Sequence, residues 1–115
     1  MDARSQLSQV DISEFKRFDI RVGLVEHAER VVGTDRLIKL LVNFGSFKKR
    51  AITGLGHIYE PEHFINKKFV FLVNLKPKTV RGEVSECMIL AAAESEDIIA
   101  PIIPERDVKE GSQVL

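Results

Sequence analysis

With 115 residues, 44% of them hydrophobic, and 17 basic side chains against 17 acidic ones, the chain is sized for one domain around one core. Net neutrality excludes a uniformly basic, nonspecific nucleic-acid binder, and no run of about eighteen apolar residues is present to cross a bilayer as a helix. The stretch from Met1 to Val10 is polar and lacks the apolar centre of a secretion signal, so a cytoplasmic location is expected, with no membrane partner.

Residues 1–14 read as an N-terminal extension. Asp11 stands three residues before Glu14, a variant of the capping box, and predicts one helical turn over 14–18 with Phe15 and Phe18 on a shared face. From Ile20 the chain alternates: Ile20, Val22 and Leu24 point one way, Arg21, Gly23 and Val25 the other, as in a strand with one face on a core. Gly23 is read as a bend or bulge in that strand. Leu37 to Phe44 is a second strand with Ile38, Leu40, Val42 and Phe44 as its inner row, and Gly45-Ser46 turns it into a third, Lys48 to Thr53. After the break at Gly54-Leu-Gly56, Pro61 sits near the first position of a short helical turn over 60–64. Phe69 to Leu75, apolar on both faces except at Asn74, predicts a central strand, and Cys87 to Ala93 a last one, with a basic loop from Lys76 to Gly82 between them. These elements describe an all-β fold, a five-stranded oligonucleotide-binding Greek-key barrel with short helical turns. The tail has too many prolines (Pro101, Pro104) for regular structure and too many isoleucines (Ile98, Ile99, Ile102, Ile103) for solvent. It is expected to pack along the barrel or at the seam with a second copy.

Charge is polarised along the chain. Residues 46–82 carry Lys48, Lys49, Arg50, Lys67, Lys68, Lys76, Lys78 and Arg81 against Glu60 and Glu62, a net +6, whereas residues 83–115 are net −6. One face is therefore expected to attract phosphate. Cys87, the single cysteine, lies among Met88, Ile89 and Leu90 and reads as a small apolar core residue. His57 and His63 with Glu60 and Glu62 form the one cluster worth weighing as a metal or catalytic site, and their spacing matches no helical zinc motif. Gly54-Leu-Gly56 lacks the lysine and hydroxyl residue of a phosphate-binding loop. No catalytic residue, metal or cofactor is expected, and the chain is read as a binding module and not an enzyme.

The stretch Asn74-Leu-Lys-Pro-Lys-Thr-Val-Arg-Gly-Glu-Val-Ser-Glu-Cys-Met-Ile-Leu-Ala-Ala92 closely resembles the signature of the tRNA-binding domain. That domain occurs at the C-terminus of methionyl-tRNA synthetases, in free-standing dimeric tRNA-binding proteins and in chaperone-like relatives. Phe15-Lys-Arg-Phe-Asp-Ile-Arg-Val-Gly23 is similar to the family's first strand and Arg50-Ala-Ile-Thr-Gly54 to its third. The likeness marks residues 15–112 as the tRNA-binding domain, with 94–115 as a C-terminal extension. Two departures stand out: the connection from Glu26 to Leu37 lacks the His-Pro pair common in the family, and Cys87 replaces a common glycine.

The resemblance implies tRNA bound through the basic loop, as a free-standing factor or a subunit associated with methionyl-tRNA synthetase. Lys76, Lys78 and Arg81 are suited to hold phosphates, Pro77 stiffens the backbone between the lysines, and the arginine adds a planar fork for phosphate or base. Gly82 allows a positive φ or a close approach of backbone to ligand. Ser85 and Met88, carried over from the family's Ser-x-x-Met, supply a hydroxyl and a polarizable thioether. Asn74 offers a donor and an acceptor, either to a base edge or to the adjoining loop. Lys48, Lys49 and Arg50 complete the RNA-binding set. With one tyrosine and no tryptophan, stacking platforms are scarce, which favours reading the shape of a folded RNA in a sequence-tolerant, salt-sensitive way. The family also implies a homodimer, and a rival role as a chaperone-like polypeptide binder of the CsaA type.

Overall fold

The computed structural model describes residues 7–115; the first six residues of the expected N-terminal extension lie outside the described part. Among the described residues a helical turn α1 (Ile12–Phe15) precedes nine strands, β1 (Ile20–Arg30), β2 (Ile38–Asn43), β3 (Lys48–Thr53), β4 (Lys68–Leu72), β5 (Lys78–Val80), β6 (Glu83–Ser85), β7 (Met88–Ile89), β8 (Ala91–Ala93) and β9 (Ile99–Pro101), with a 3₁₀ turn, Pro61–His63, before β4.

Alternation of apolar residues fixes β2. Ile38, Leu40 and Val42, with Phe44 just beyond them, turn inward and are at most 1% exposed. β1 and β3 flank β2, β4 pairs with the first half of β1, and β7 with β4, all antiparallel, in the order β3-β2-β1-β4-β7. A parallel bridge from Ala51 to Cys87 brings the two outer strands together, so the sheet is a nearly closed five-stranded barrel of the oligonucleotide-binding-like form expected. Phe64, delivered by the 3₁₀ turn with Pro61 at its start, joins Phe69, Phe71, Val73 and Ile89 in the core.

Several expectations are corrected. The helical turn spans Ile12–Phe15, not 14–18, because Glu14 lies inside it and its carboxylate accepts from the Asp11 N–H at 3.1 Å. β1 is longer than the alternating stretch, and its bulge falls between Val25 and His27, not at Gly23. Gly23 stays in register opposite Phe69 and is glycine for lack of room: a Cβ there would press on Val42 and lie 2.7 Å from the Phe44 ring. The core row of β1 is thus Gly23, Val25 and Ala28, and the row containing Val22 lies on the other face.

The C-terminal tail is not irregular throughout. β9 pairs with β8, where Pro101 sits opposite Ala91 in a two-stranded sheet whose open edges tolerate a missing N–H. The single strand expected over 87–93 divides at Leu90, which donates to the Val70 carbonyl and accepts from the Ile102 N–H, both at 2.9 Å. Further on, Gly111 donates to the Val22 carbonyl, Val22 to that of Ser112, and Val114 to that of Ile20, at 2.7 to 2.9 Å. β2 leaves β1 unpaired before Leu24, and the tail fills that stretch of edge.

Candidate nucleic-acid interface

The basic segment between β4 and β7, expected as a loop, is a hairpin: β5 and β6 pair Lys78 with Ser85, Thr79 with Val84 and Val80 with Glu83. Its two-residue turn is Arg81-Gly82, with φ of 53° and 80°. Positive φ at both central residues is the pattern of the turn that matches the twist of paired strands. Glycine adopts it freely, whereas an arginine there carries strain on the order of 1 kcal/mol. The guanidinium is therefore held at the hairpin tip against the preference of its own backbone.

Acidic residues of the hairpin region face the barrel. Glu83 bonds Lys39 at 3.1 Å, and Lys39 also reaches Glu29 at 3.2 Å. The Lys39 ammonium is held charged above its ordinary pKa, first by the hydrogen bond to Glu83 and then by that to Glu29. Glu86 accepts from the Arg50 backbone N–H at 3.1 Å and lies 3.5 Å from its guanidinium. Lys76, Lys78 and Arg81 are exposed and form no ion pair among the described residues. The negative C-terminal third takes up Lys68 instead, through Asp107 at 2.7 Å and Glu110 at 3.6 Å. The hairpin thus presents three cations outward while its neighbouring carboxylates are neutralised on the barrel side.

The other expected contacts have partners of their own. Lys48 pairs with Glu26 at 2.8 Å, which holds that carboxyl below its usual range; Lys49 donates to the Val73 carbonyl at 2.9 Å; Arg50 is tied to Glu86. The Asn74 side chain spends both functions internally, accepting from the Asp19 N–H and donating to the Arg17 carbonyl, each at 2.8 Å. The Ser85 hydroxyl accepts from the Ile52 N–H at 3.1 Å and donates to the Cys87 carbonyl at 3.2 Å. Met88 is 44% exposed, on the face shared with Leu72 opposite it. Cys87 is buried, and burial pushes its thiol up to about 12.

Residues not singled out by sequence also border this surface. Arg17 is exposed, without an ion pair among the described residues, and Asn74 brings its backbone beside the base of the hairpin. Phe18 and Leu75, both exposed, line a groove with Arg17, Leu72 and Asn74. The signal was present in the Lys16-Arg17-Phe18 run of the segment resembling the family's first strand, but its spatial neighbour lies 57 residues away. The histidine cluster does not assemble: His57 Nε2 donates to the Glu96 carbonyl at 2.8 Å, whereas His63 stacks on Tyr59 with ring centres 4.4 Å apart. Among the described residues no group of His, Cys, Asp and Glu is arranged to hold a metal ion, and no helix is long and apolar enough to cross a membrane.

Comparison with known proteins gives a consistent family. The family model of the tRNA binding domain matches residues 20–113. The methionine–tRNA ligase of Methanocaldococcus jannaschii is 38% identical over 95% of this chain, and that of Methanopyrus kandleri 41% identical over 91%. The chain spans only 17% and 16% of the lengths of those ligases. A MetRS-related protein from Pyrococcus horikoshii superimposes with a TM-score of 0.90 at 37% identity, covering 95% of this chain and 100% of that one. The chaperone CsaA from Bacillus anthracis superimposes with a TM-score of 0.84 at 27% identity, covering 94% and 100%.

Proposed function

Because the chain belongs to the tRNA-binding domain family, we propose that it binds tRNA through the β5–β6 hairpin, reading the shape and phosphate geometry of the folded RNA more than its sequence. The observation that carries this reading is Arg81: a cation kept at a turn tip in a strained backbone conformation, beside two exposed lysines, has no ion-pair partner among the described residues to account for it. Lys76, Lys78 and Arg81 contact phosphates, Gly82 lets backbone approach the ligand, and Met88 offers an apolar contact to an unstacked base. Lys48, Lys49 and Arg50 add to the field of this face, and exchange their internal partners for phosphate only where the RNA reaches them. Asn74 and Ser85 serve the site by fixing its framework.

This reading assigns no catalysis to the chain. Its place is the cytoplasm, with a methionine–tRNA ligase as its partner, as the two ligases and the MetRS-related structure support. Exposed Ile98, Ile102 and Ile103 on the tail, and Ile12, Phe15, Phe18 and Leu115 around a second groove, support a homodimer. Light scattering at micromolar concentration is expected to give twice the chain mass, and a monomer would refute the dimer.

The test of the RNA reading is a titration of bulk tRNA against the full chain and the triple variant Lys76→Ala, Lys78→Ala, Arg81→Ala at two salt concentrations. The variant is expected to bind far more weakly, with a flatter dependence of log affinity on log salt. Unchanged affinity and slope would overturn the hairpin assignment. The likeness to CsaA supports a second reading, polypeptide binding at the exposed apolar groove, for which affinity would persist as salt rises.

A further inference from the structure

We propose that Arg17 is a further RNA contact and that Asn74 is the positioning residue that holds it in place, an inference that rests on the hairpin reading above. The segment following α1 has few ties of its own. It leaves the helical turn through two short bonds, Arg17 N–H to the Glu14 carbonyl at 3.2 Å and Phe18 N–H to the Phe15 carbonyl at 3.0 Å, and then crosses to the end of β4. There Asn74 clamps it from both sides of Phe18, with Nδ2 on the Arg17 carbonyl and Oδ1 on the Asp19 N–H. The Val73 N–H adds a bond to the Asp19 carbonyl at 2.7 Å.

Two consequences follow from this geometry. Asn74 is two residues from Lys76, so the clamp sets the Arg17 backbone at the root of the cationic hairpin. Asp19 is already paired with Arg21 at 2.8 Å, and Lys16 and Arg17 are exposed on the rim and form no ion pair among the described residues. A phosphate chain that follows Lys78 and Lys76 down the hairpin meets Arg17 next, across the groove floored by Phe18, Leu72 and Leu75. Because Oδ1 and Nδ2 of Asn74 each hold a backbone partner in the clamp, its effect on RNA is assigned to the placement of Arg17 and not to a base edge.

A double-mutant cycle on the full chain, read by bulk tRNA binding over a range of salt, tests this. Arg17→Ala is expected to flatten the slope of log affinity against log salt by about one, the loss of one phosphate contact, and Arg17→Lys to restore most of it. Asn74→Ala is expected to flatten it by a similar amount, and the double variant no further than either single one. Additive losses, or parental binding by Arg17→Ala, would overturn the proposal. Should Asn74→Ala fail to fold, Asn74→Asp, which keeps the acceptor for Asp19 and loses the donor to Arg17, takes its place in the cycle. Failure of the underlying reading is separable: it appears as parental binding by the hairpin triple variant, whatever the cycle gives.

Discussion

Ile52 in β3 donates its backbone N–H to the hydroxyl of Ser85 at 3.1 Å, so the barrel is closed on that edge by a side chain standing in for a strand. The neighbouring Glu86 N–H donates to the Arg50 carbonyl at 2.8 Å, and the parallel bridge between Ala51 and Cys87 completes the seam.

Replacing Ser85 with alanine is therefore expected to act on stability. It leaves the Ile52 N–H without its acceptor and the Cys87 carbonyl without a donor, at a cost of about 1 to 2 kcal/mol. Thermal denaturation should show a melting temperature lower by several degrees, and Ser85→Thr, which keeps the hydroxyl, should recover part of it. If Ser85→Ala melted like the parent but bound tRNA more weakly, the hydroxyl would belong to the RNA surface instead.

Gly23 makes a second, opposite demand on the core. A methyl group there would press on Val42, Phe44 and Phe71, and each of those side chains is itself enclosed. Gly23→Ala is expected to destabilise by about 1 to 3 kcal/mol, the usual penalty of overpacking. Chemical denaturation with an unchanged slope and a lower midpoint would show it; an unchanged midpoint would mean that the strand shifts to make room.

The two readings of Gly23, as a bend in the sequence and as a position without room for a side chain in the fold, show where the sequence was legible and where it was not. β2 and β3 were readable to within a residue at their ends because one alternating row, Ile38 to Phe44, specifies a buried face by itself. The same rule misled for β1, since Val22 and Leu24 look like a core row while the true one contains Gly23, a residue with no side chain to reveal it. Its absence of bulk matters only against Val42 and Phe71, which no local pattern connects to it. The site divides in the same way. The cations of the hairpin were visible because they lie close together in sequence, whereas the ties that neutralise Lys48 and Arg50, and those that occupy Asn74, span 22 to 57 residues and exist only in the folded chain.

Acid should weaken the fold through His63 before it reaches the carboxylates. Burial, and secondarily the charge of Lys67, lowers its pKa from 6.5. A histidine with a depressed folded pKa lends stability that is present above its unfolded value and is lost as pH falls through the folded one. The melting temperature is thus expected to begin to decline as pH falls below the ordinary histidine value of 6.5, before Glu26 and Glu29, lowered from 4.5, take up protons. His63→Phe keeps a ring against Tyr59 and removes the titration, so its profile should be flatter over that interval. An equal decline in the variant would assign the effect to other groups.

Cys87 reports on opening of the seam that Ser85 closes. The thiol is 1% exposed, pushed up to about 12 by burial, and its Sγ–H faces the Arg50 carbonyl at 3.7 Å across that seam. Reaction needs a thiolate in contact with solvent, so a thiol-specific reagent should label the native chain only as fast as the barrel opens. Labelling is expected to accelerate with denaturant in step with unfolding, and by about tenfold for each 1.4 kcal/mol of stability lost in Ser85→Ala or Gly23→Ala. If Ser85→Ala accelerates it well beyond Gly23→Ala at equal loss of stability, the edge between β3 and β7 opens locally and ahead of the rest of the barrel. Labelling of the parent at the rate of an exposed thiol would contradict the burial on which both predictions for the seam depend.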